Sequence, residues 1–312
     1  MSIDPEEVQR FLAARREVQH VRRVGAGAWS TAFSFECEGR RRVIRFGRHV
    51  EDFRKDERAA ELYAPRLPVP HVLEIGEAFE GYAYAISEWA EGGAIDQLSE
   101  PELRRALPSL LDTLDAIRAV PAPAERGFGW WSSRGSALHD TWPQALLSLV
   151  EEEESPRLAG WQAFLHSNAE ASRIFNRAAG LLADRVTACP DGVRHAIHSD
   201  LLAGNVLSVD GTVSAVIDWG NSLVGDFAYD VAWLVFWSPW HPGLDPEVVL
   251  SETRRRGAET GADLANFAER LLACQLHTAL DSMAYNAFRR DETHLAATIR
   301  RLLLLLDSAG TG

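Results

Sequence analysis

The sequence predicts an α+β protein in two unequal parts, an antiparallel β-rich part near residues 1–90 and a larger, mostly α-helical part over 91–312. Three observations carry this. Short β-type runs separated by glycine-containing turns recur up to about residue 87. Gly92-Gly93 then interrupts the pattern, and beyond it apolar residues return at helical spacing. Inside that helical stretch stands one hairpin signal, in which runs 206–209 and 212–217 flank Asp210-Gly211. An Asp-Gly pair suits the two positive φ values of a type I′ turn.

The elements follow in order. Asp4-Pro5-Glu6-Glu7 supplies an N-cap, a proline at the first helical position and acids in the first turn, so a helix is expected over 4–19. Strands are expected at 21–24, 32–37 and 42–46, with Glu38-Gly39-Arg40 as the second turn. The first of those turns is the small-residue loop Gly25-Ala26-Gly27-Ala28-Trp29-Ser30-Thr31. Small residues there let backbone N–H groups approach a phosphate, although a plain glycine turn reads the same. A helix over 51–63 carries Asp56, Glu57 and Glu61 and ends at the proline-rich 65–70. Strands at 71–75 and 82–87 complete the first part. Helices are then expected over 101–119, 141–153, 159–165, 170–187, 228–237 and 262–306. Glu151 to Glu154 read as a solvated helix end.

Composition excludes several function classes. Hydrophobic residues at 46% and charged residues at 25% are ordinary for a globular chain. With 45 acidic residues against 32 basic ones, the net charge of −13 argues against a nucleic-acid partner and is compatible with a cationic small ligand. Cys37, Cys189 and Cys274 are odd in number and far apart, so neither a disulfide framework nor a zinc site is expected, and a reducing cytoplasm is the expected location. No stretch is read as a signal peptide or a membrane span.

The hairpin gathers the chemistry. Counting back from the turn puts Asn205 opposite Val216 and Asp218 one diagonal step further, on the same face. Such neighbours lie about 7–8 Å apart, within reach of a common cation. His198 and Asp200 precede the hairpin at its open end. Two carboxylates and an amide oxygen suit Mg²⁺ bound together with substrate phosphates. Arg45 adds a cation on the third strand, unless it is an ordinary surface arginine.

The motif His198-x-Asp200-x4-Asn205, a hairpin and then Ile217-Asp218-Trp219 resembles the catalytic and metal loops of the bilobal protein-kinase-like fold. The segments HSDLLAGNVL and IDWGNSLVGDFAYDVA are similar to the signature of the aminoglycoside phosphotransferase family. STAFSF at 30–35, VIRF at 43–46, LPVPHVLEIGE at 67–77, RGFG at 126–129, CPDGVRHAIHSD at 189–200 and FWSPW at 236–240 resemble its hygromycin B phosphotransferase branch. The resemblance covers about residues 20 to 290 and implies phosphate transfer from ATP or GTP to a hydroxyl of a cationic antibiotic, hygromycin B first among them.

Carried over residue by residue, the resemblance implies that Asp200 orients and deprotonates the acceptor hydroxyl, that Asn205 and Asp218 bind Mg²⁺ and that His198 buttresses the loop. Ser30, Arg45, Glu57 and the linker residues Glu88, Trp89 and Ala90 fall on the nucleotide. Arg45 stands where most of the fold has a lysine; Lys55 is a second candidate, and Asp56 or Glu61 could replace Glu57 as the partner acid. Asp226 and Asp230 read as structural, with Asp226 bracing the catalytic loop. Trp237 and Trp240 fit the stacking of sugar rings or the core, and Asp281 is a candidate acid for the acceptor. Asp140 and Glu151 to Glu154 fit either the acceptor or a solvated acidic face. A monomer is expected. The alternatives are the same chemistry on a macrolide, a tuberactinomycin-like peptide or a metabolite such as choline, homoserine or fructosamine, and a non-catalytic pseudokinase.

Overall fold

The computed structural model describes residues 3–79, 81–151, 156–190 and 192–309. The first helix, α1 (Pro5–Ala13), is held by the expected cap: the Asp4 carboxylate accepts from the Glu7 N–H and the Glu7 carboxylate from the Asp4 N–H. It stops well short of residue 19. Arg15 folds back over the Phe11 ring at 4.0 Å and donates to the Phe11 carbonyl, which satisfies the helix end. A five-stranded antiparallel sheet follows, from β1 (Gln19–Ala26), β2 (Ser30–Cys37), β3 (Arg40–Gly47), β4 (Val72–Glu77) and β5 (Ala83–Glu88), in the spatial order β1-β2-β3-β5-β4. Between β3 and β4 lies α2 (Val50–Tyr63). Phe11 and Leu12 of α1 cover one face of the sheet together with Phe33, Ile44 and Phe46.

The remainder contains α3 (Glu100–Ala119), α4 (Trp142–Glu151), α5 (Trp161–His166), α6 (Ala169–Arg185), α7 (Ala228–Trp237), α8 (Pro246–Thr260), α9 (Phe267–Arg289) and α10 (Glu292–Ala309). The helix expected over 262–306 is thus two helices, and the end of the acidic run at Glu151 to Glu154 falls largely outside the described residues. The hairpin is not the only β-structure in this half. Strand β6 (Gly93–Ala94) pairs with β10 (Val206–Val209), which pairs with β11 (Thr212–Val216). A four-stranded sheet runs β8 (Ser136–His139), β7 (Phe128–Ser132), β12 (Leu223–Gly225) and β9 (His195–Ile197). Helix α8 also went unread, although Asp245-Pro246-Glu247 repeats the capping pattern that identifies α1, with the Asp245 carboxylate accepting from the Glu247 N–H.

The largest core is not confined to the helical half. It joins Ala59, Ala60 and Tyr63 of α2 to Leu110, Leu182, Phe236 and Leu280 of the later helices. Helix α2, with Leu67 and Val69 just after it, therefore joins the first part to this core. The three cysteines are unpaired. No described helix is long and apolar enough to cross a membrane.

Candidate active site

Asp210 and Gly211 take φ values of 51° and 85°, as a type I′ turn requires. The register is one residue off the simple count. Val206, not Asn205, faces Val216, because Ser214 is an extra residue between the pairs Leu207–Ala215 and Ser208–Val213. Its hydroxyl donates to the Glu91 carbonyl at 2.5 Å. The linker runs so close to this bulge that a Cβ on Gly92 (φ 127°) would lie 2.7 Å from the Ser208 carbonyl oxygen. Asn205 therefore lies beside Ile217, whose N–H donates to its carbonyl at 2.9 Å. Asp218 then leaves the strand with φ 63°, and this turn, not strand alternation, brings it into the cleft that Asp200 and Asn205 also line.

Both loops are braced from below. His198 is fully buried; its Nδ1 accepts from the Asp200 N–H at 3.2 Å, so Nε2 carries the proton and donates to the Ile217 carbonyl at 3.0 Å. Burial pulls its pKa down to about 4, and it stays neutral as a buttress between the loops. The sequence reading assigned the bracing of the catalytic loop to Asp226, and this is corrected. Asp230 accepts from the backbone N–H groups of His198 (2.9 Å) and Ser199 (2.8 Å), whereas Asp226 makes a buried bidentate pair with Arg270 at 2.7 and 2.8 Å. Both acids sit around the start of α7, and only the later one turns toward the loop. The Gly204 N–H donates to Asp96 at 2.9 Å and ties the other end of the loop to the linker side.

Helix α2 fastens the loop that carries Asp218. Arg45 hydrogen-bonds Asp56, and its Nη1 lies 3.6 Å from the Asp218 carboxylate. The expected partner, Glu57, is wrong: Phe53, Asp56, Ala60 and Tyr63 form the buried stripe of α2, and Glu57 lies one residue round the helix, exposed. Asp56 also accepts from the Trp219 N–H at 2.7 Å. Lys55 does not point at the phosphate region. Its Nζ is fully buried, donates to the carbonyls of Gly220 (2.8 Å) and Ser222 (2.9 Å), and lies over the rings of Trp130 and Trp131. Burial pulls its pKa down to about 7.

Asp200 lines a cleft of about 840 Å³ together with Asn205, Asp218 and the 27–30 loop, Ser30 included. Burial, and then the charge of Asp218, push the Asp200 pKa up to about 8. The Asn205 amide nitrogen donates to the Asp200 carbonyl at 2.8 Å, which leaves its Oδ1 with no protein donor among the described residues. An uncommitted amide oxygen and a carboxylate in a surplus of negative charge are the donor chemistry a hard cation takes. Among the described residues no three His, Cys, Asp or Glu side chains form a complete cage.

The same cleft is lined by Trp237, Trp240 and Asp281, and by Trp233, Trp142 and Tyr285, which sequence reading missed because they sit on separate helices. Trp237 stacks at a tilt on Trp240 with centroids 5.3 Å apart. The indole N–H groups of Trp142, Trp233 and Trp237 have no acceptor among the described residues. Asp281 has no hydrogen bond or ion pair among them either, and burial pushes its pKa up to about 6. The linker residues Glu88, Trp89 and Ala90 lie outside this lining, at the end of β5. The Glu88 carboxylate accepts from the His71 N–H, and Trp89 lies under Arg41 at 4.7 Å.

Residues 20–269 match the phosphotransferase enzyme family. The chain is 32% identical over 278 residues to hygromycin-B 4-O-kinase of Escherichia coli, covering 88% of this chain and 77% of that one. Its fold superposes with a TM-score of 0.84 on a thermostable aminoglycoside phosphotransferase solved with AMP-PNP and hygromycin B, at 30% identity and over 97% and 98% of the two chains. A spectinomycin phosphotransferase, 13% identical with a TM-score of 0.63 over 98% of each chain, shares the fold alone. The braced loop pair, the kinase-like arrangement of sheet and helices and these likenesses agree: this chain is an O-phosphotransferase and belongs to the phosphotransferase enzyme family.

Proposed function

We propose that this protein transfers the γ-phosphate of ATP or GTP to a hydroxyl of an aminoglycoside, with hygromycin B as the acceptor. The carrying observation is that one cleft is lined both by Asp200, Asn205 and Asp218 and by Asp281 with its tryptophan neighbours. The first set supports phosphate transfer. The second supports a polycationic, hydroxyl-rich acceptor, since it offers an unpaired carboxylate and flat aromatic faces.

In this reading Asp200 acts in its ionised form, which a cation beside Asp218 would favour by offsetting the second cause of its raised pKa, and the acceptor hydroxyl donates a hydrogen bond to that carboxylate. Its oxygen attacks the γ-phosphorus, the bond to the β-phosphate oxygen breaks, and Asp200 takes the hydroxyl proton. Mg²⁺, when bound with the nucleotide, would be held by Asn205 Oδ1 and Asp218 and would offset phosphate charge. Arg45, anchored by Asp56, contributes positive charge beside Asp218. The 25–30 loop supplies backbone N–H groups to the phosphates.

The test measures nucleotide consumption and phosphate transfer with hygromycin B, other aminoglycosides, a macrolide and choline as acceptors. Turnover on hygromycin B is expected; turnover on the macrolide or choline alone would remove the acceptor assignment. Asp200→Ala is expected to lower kcat by about 10²- to 10⁴-fold while nucleotide still binds. Activity surviving that change would remove Asp200 as the base.

A further inference from the structure

The loop at residues 25–30 is built of glycine, alanine and serine except for one bulky side chain, Trp29. That side chain reaches across to the helical part. Its ring stacks on Phe288 of α9, with centroids 5.6 Å apart and planes 13° from parallel, and lies 6.3 Å from Tyr285. The Arg157 guanidinium sits over it at 4.4 Å, while the same group pairs with Asp52 of α2 at 3.0 and 2.9 Å. From its own part of the chain Trp29 meets the His49 ring edge-on at 5.5 Å.

The stripe it lands on is the informative part. Asp281, Tyr285 and Phe288 are spaced i, i+4 and i+7, so they share one face of α9. Asp281 and Tyr285 line the cleft together with Gly27 to Ser30 and Asp200. A side chain of the nucleotide loop thus packs on the helix face that bears the acceptor carboxylate. We propose that Trp29 is an acceptor-specificity residue supplied by the nucleotide loop, completing the acceptor wall and making acceptor affinity depend on nucleotide occupancy. The inference rests on the aminoglycoside reading above. Its physical basis is linkage: a triphosphate that fixes the 25–30 loop also fixes Trp29 against α9, and coupling between two bound ligands is reciprocal.

Calorimetry on the full chain tests this, with hygromycin B as probe in the absence and presence of AMP-PNP, for wild type, Trp29→Ala and Trp29→Phe. AMP-PNP is expected to tighten hygromycin B binding to wild type by about fivefold or more, the range of coupled sites. Trp29→Ala is expected to weaken hygromycin B roughly tenfold, as loss of an aromatic contact with its buried area does, and to abolish the AMP-PNP effect. AMP-PNP binding measured alone should change far less. Trp29→Phe, which keeps a flat ring, should restore most of the affinity and the coupling. Unchanged hygromycin B affinity and coupling in Trp29→Ala would overturn the inference. So would a parallel loss of both ligands with a lower Tm, which marks a folding role. A wild type that binds AMP-PNP but no hygromycin B would instead sink the acceptor reading, and this inference with it.

Discussion

Two groups of side chains share the cleft, and they differ in how completely the protein satisfies them. Around Asp200, Asn205 and Asp218 nearly every supporting group is committed. His198 bridges two backbone segments, Asp230 holds two N–H groups, Lys55 holds two carbonyls, and Asp56 holds both Arg45 and Trp219. Around Asp281 the carboxylate has no protein partner among the described residues, and the cleft beside it is walled by the aromatic faces of Trp233, Trp237 and Tyr285. Rigid geometry suits a reaction that tolerates little misplacement. An uncommitted carboxylate suits a ligand that must supply the missing partner. The contrast supports the proposal that one part performs the chemistry and the other selects the acceptor.

The strongest way to break this contrast is to remove its supports. Asp226→Ala strands the fully buried Arg270 guanidinium, and loss of one partner of such a pair costs about 3–5 kcal/mol. Denaturation should show a large fall in stability, with kcat of the remaining folded fraction close to wild type. Asp230→Asn keeps one acceptor oxygen for one of the His198 and Ser199 N–H groups and turns an N–H₂ toward the other. Its expected effect is the reverse, a smaller stability loss and a larger fall in kcat. If Asp226→Ala were instead the more damaging change to kcat, the assignment of Asp230 as the loop brace would be wrong.

Arg45→Ala comes next. A charge-assisted contact of about 1.5–3 kcal/mol with phosphate predicts nucleotide Kd weakened by about 10- to 100-fold. The same change frees Asp56, which retains Trp219. Lys55→Met should act differently, since Lys55 reaches the loop backbone and not the phosphates: kcat should fall more than nucleotide affinity. Equal nucleotide Kd in wild type and Arg45→Ala would assign Arg45 to loop packing alone.

What could be read in advance follows the range of the contacts. The hairpin, its Asp-Gly turn and the first helix cap are decided by residues a few positions apart, and they were legible. The register was misjudged because Ser214 bulges toward Glu91, 123 residues away in sequence. Strands β7, β9 and β12 are three to five residues long and buried between helices, so no alternation distinguished them from loops. Asp56 could have been preferred to Glu57 by following the Phe53–Ala60–Tyr63 stripe round α2. Lys55 carried no such signal, because a lysine in a helix reads as solvated, and only the packing of α2 on the loop that carries Asp218 buries it. The proposed acceptor wall draws on α4, α7 and α9, and only a resemblance could bring Trp237, Trp240 and Asp281 together beforehand.

The acceptor side yields a pH prediction. Burial raises the Asp281 pKa from 3.8 to about 6, so the carboxylate that would hold a cation is ionised above that pH and neutral below it. Hygromycin B Kd, measured by calorimetry without turnover, should rise as pH falls through about 6, approaching tenfold per unit. Asp281→Asn should flatten the profile at the weak, low-pH level. Since the folded pKa lies above the unfolded value, the folded state holds the proton more tightly. Stability contributed by this group is present below 3.8 and is lost as pH rises toward about 6, and Asp281→Asn should remove that slope. A pH-independent Kd in wild type would exclude Asp281 from the acceptor.

The smallest effect is expected at Trp240, and it discriminates most finely between recognition and packing. Trp240 is 43% exposed, while Trp237 behind it is wedged against Trp233 and Phe236 with centroids at 5.9 and 4.9 Å. Trp237→Ala removes support as well as surface and should lower Tm along with acceptor affinity. Trp240→Ala leaves that support in place. It should raise the hygromycin B KM by roughly threefold to tenfold, the worth of one aromatic face, with nucleotide KM and Tm nearly unchanged. Equal rises in both KM values would mean that the tryptophan row holds the fold around the cleft and that the acceptor is selected elsewhere along its wall.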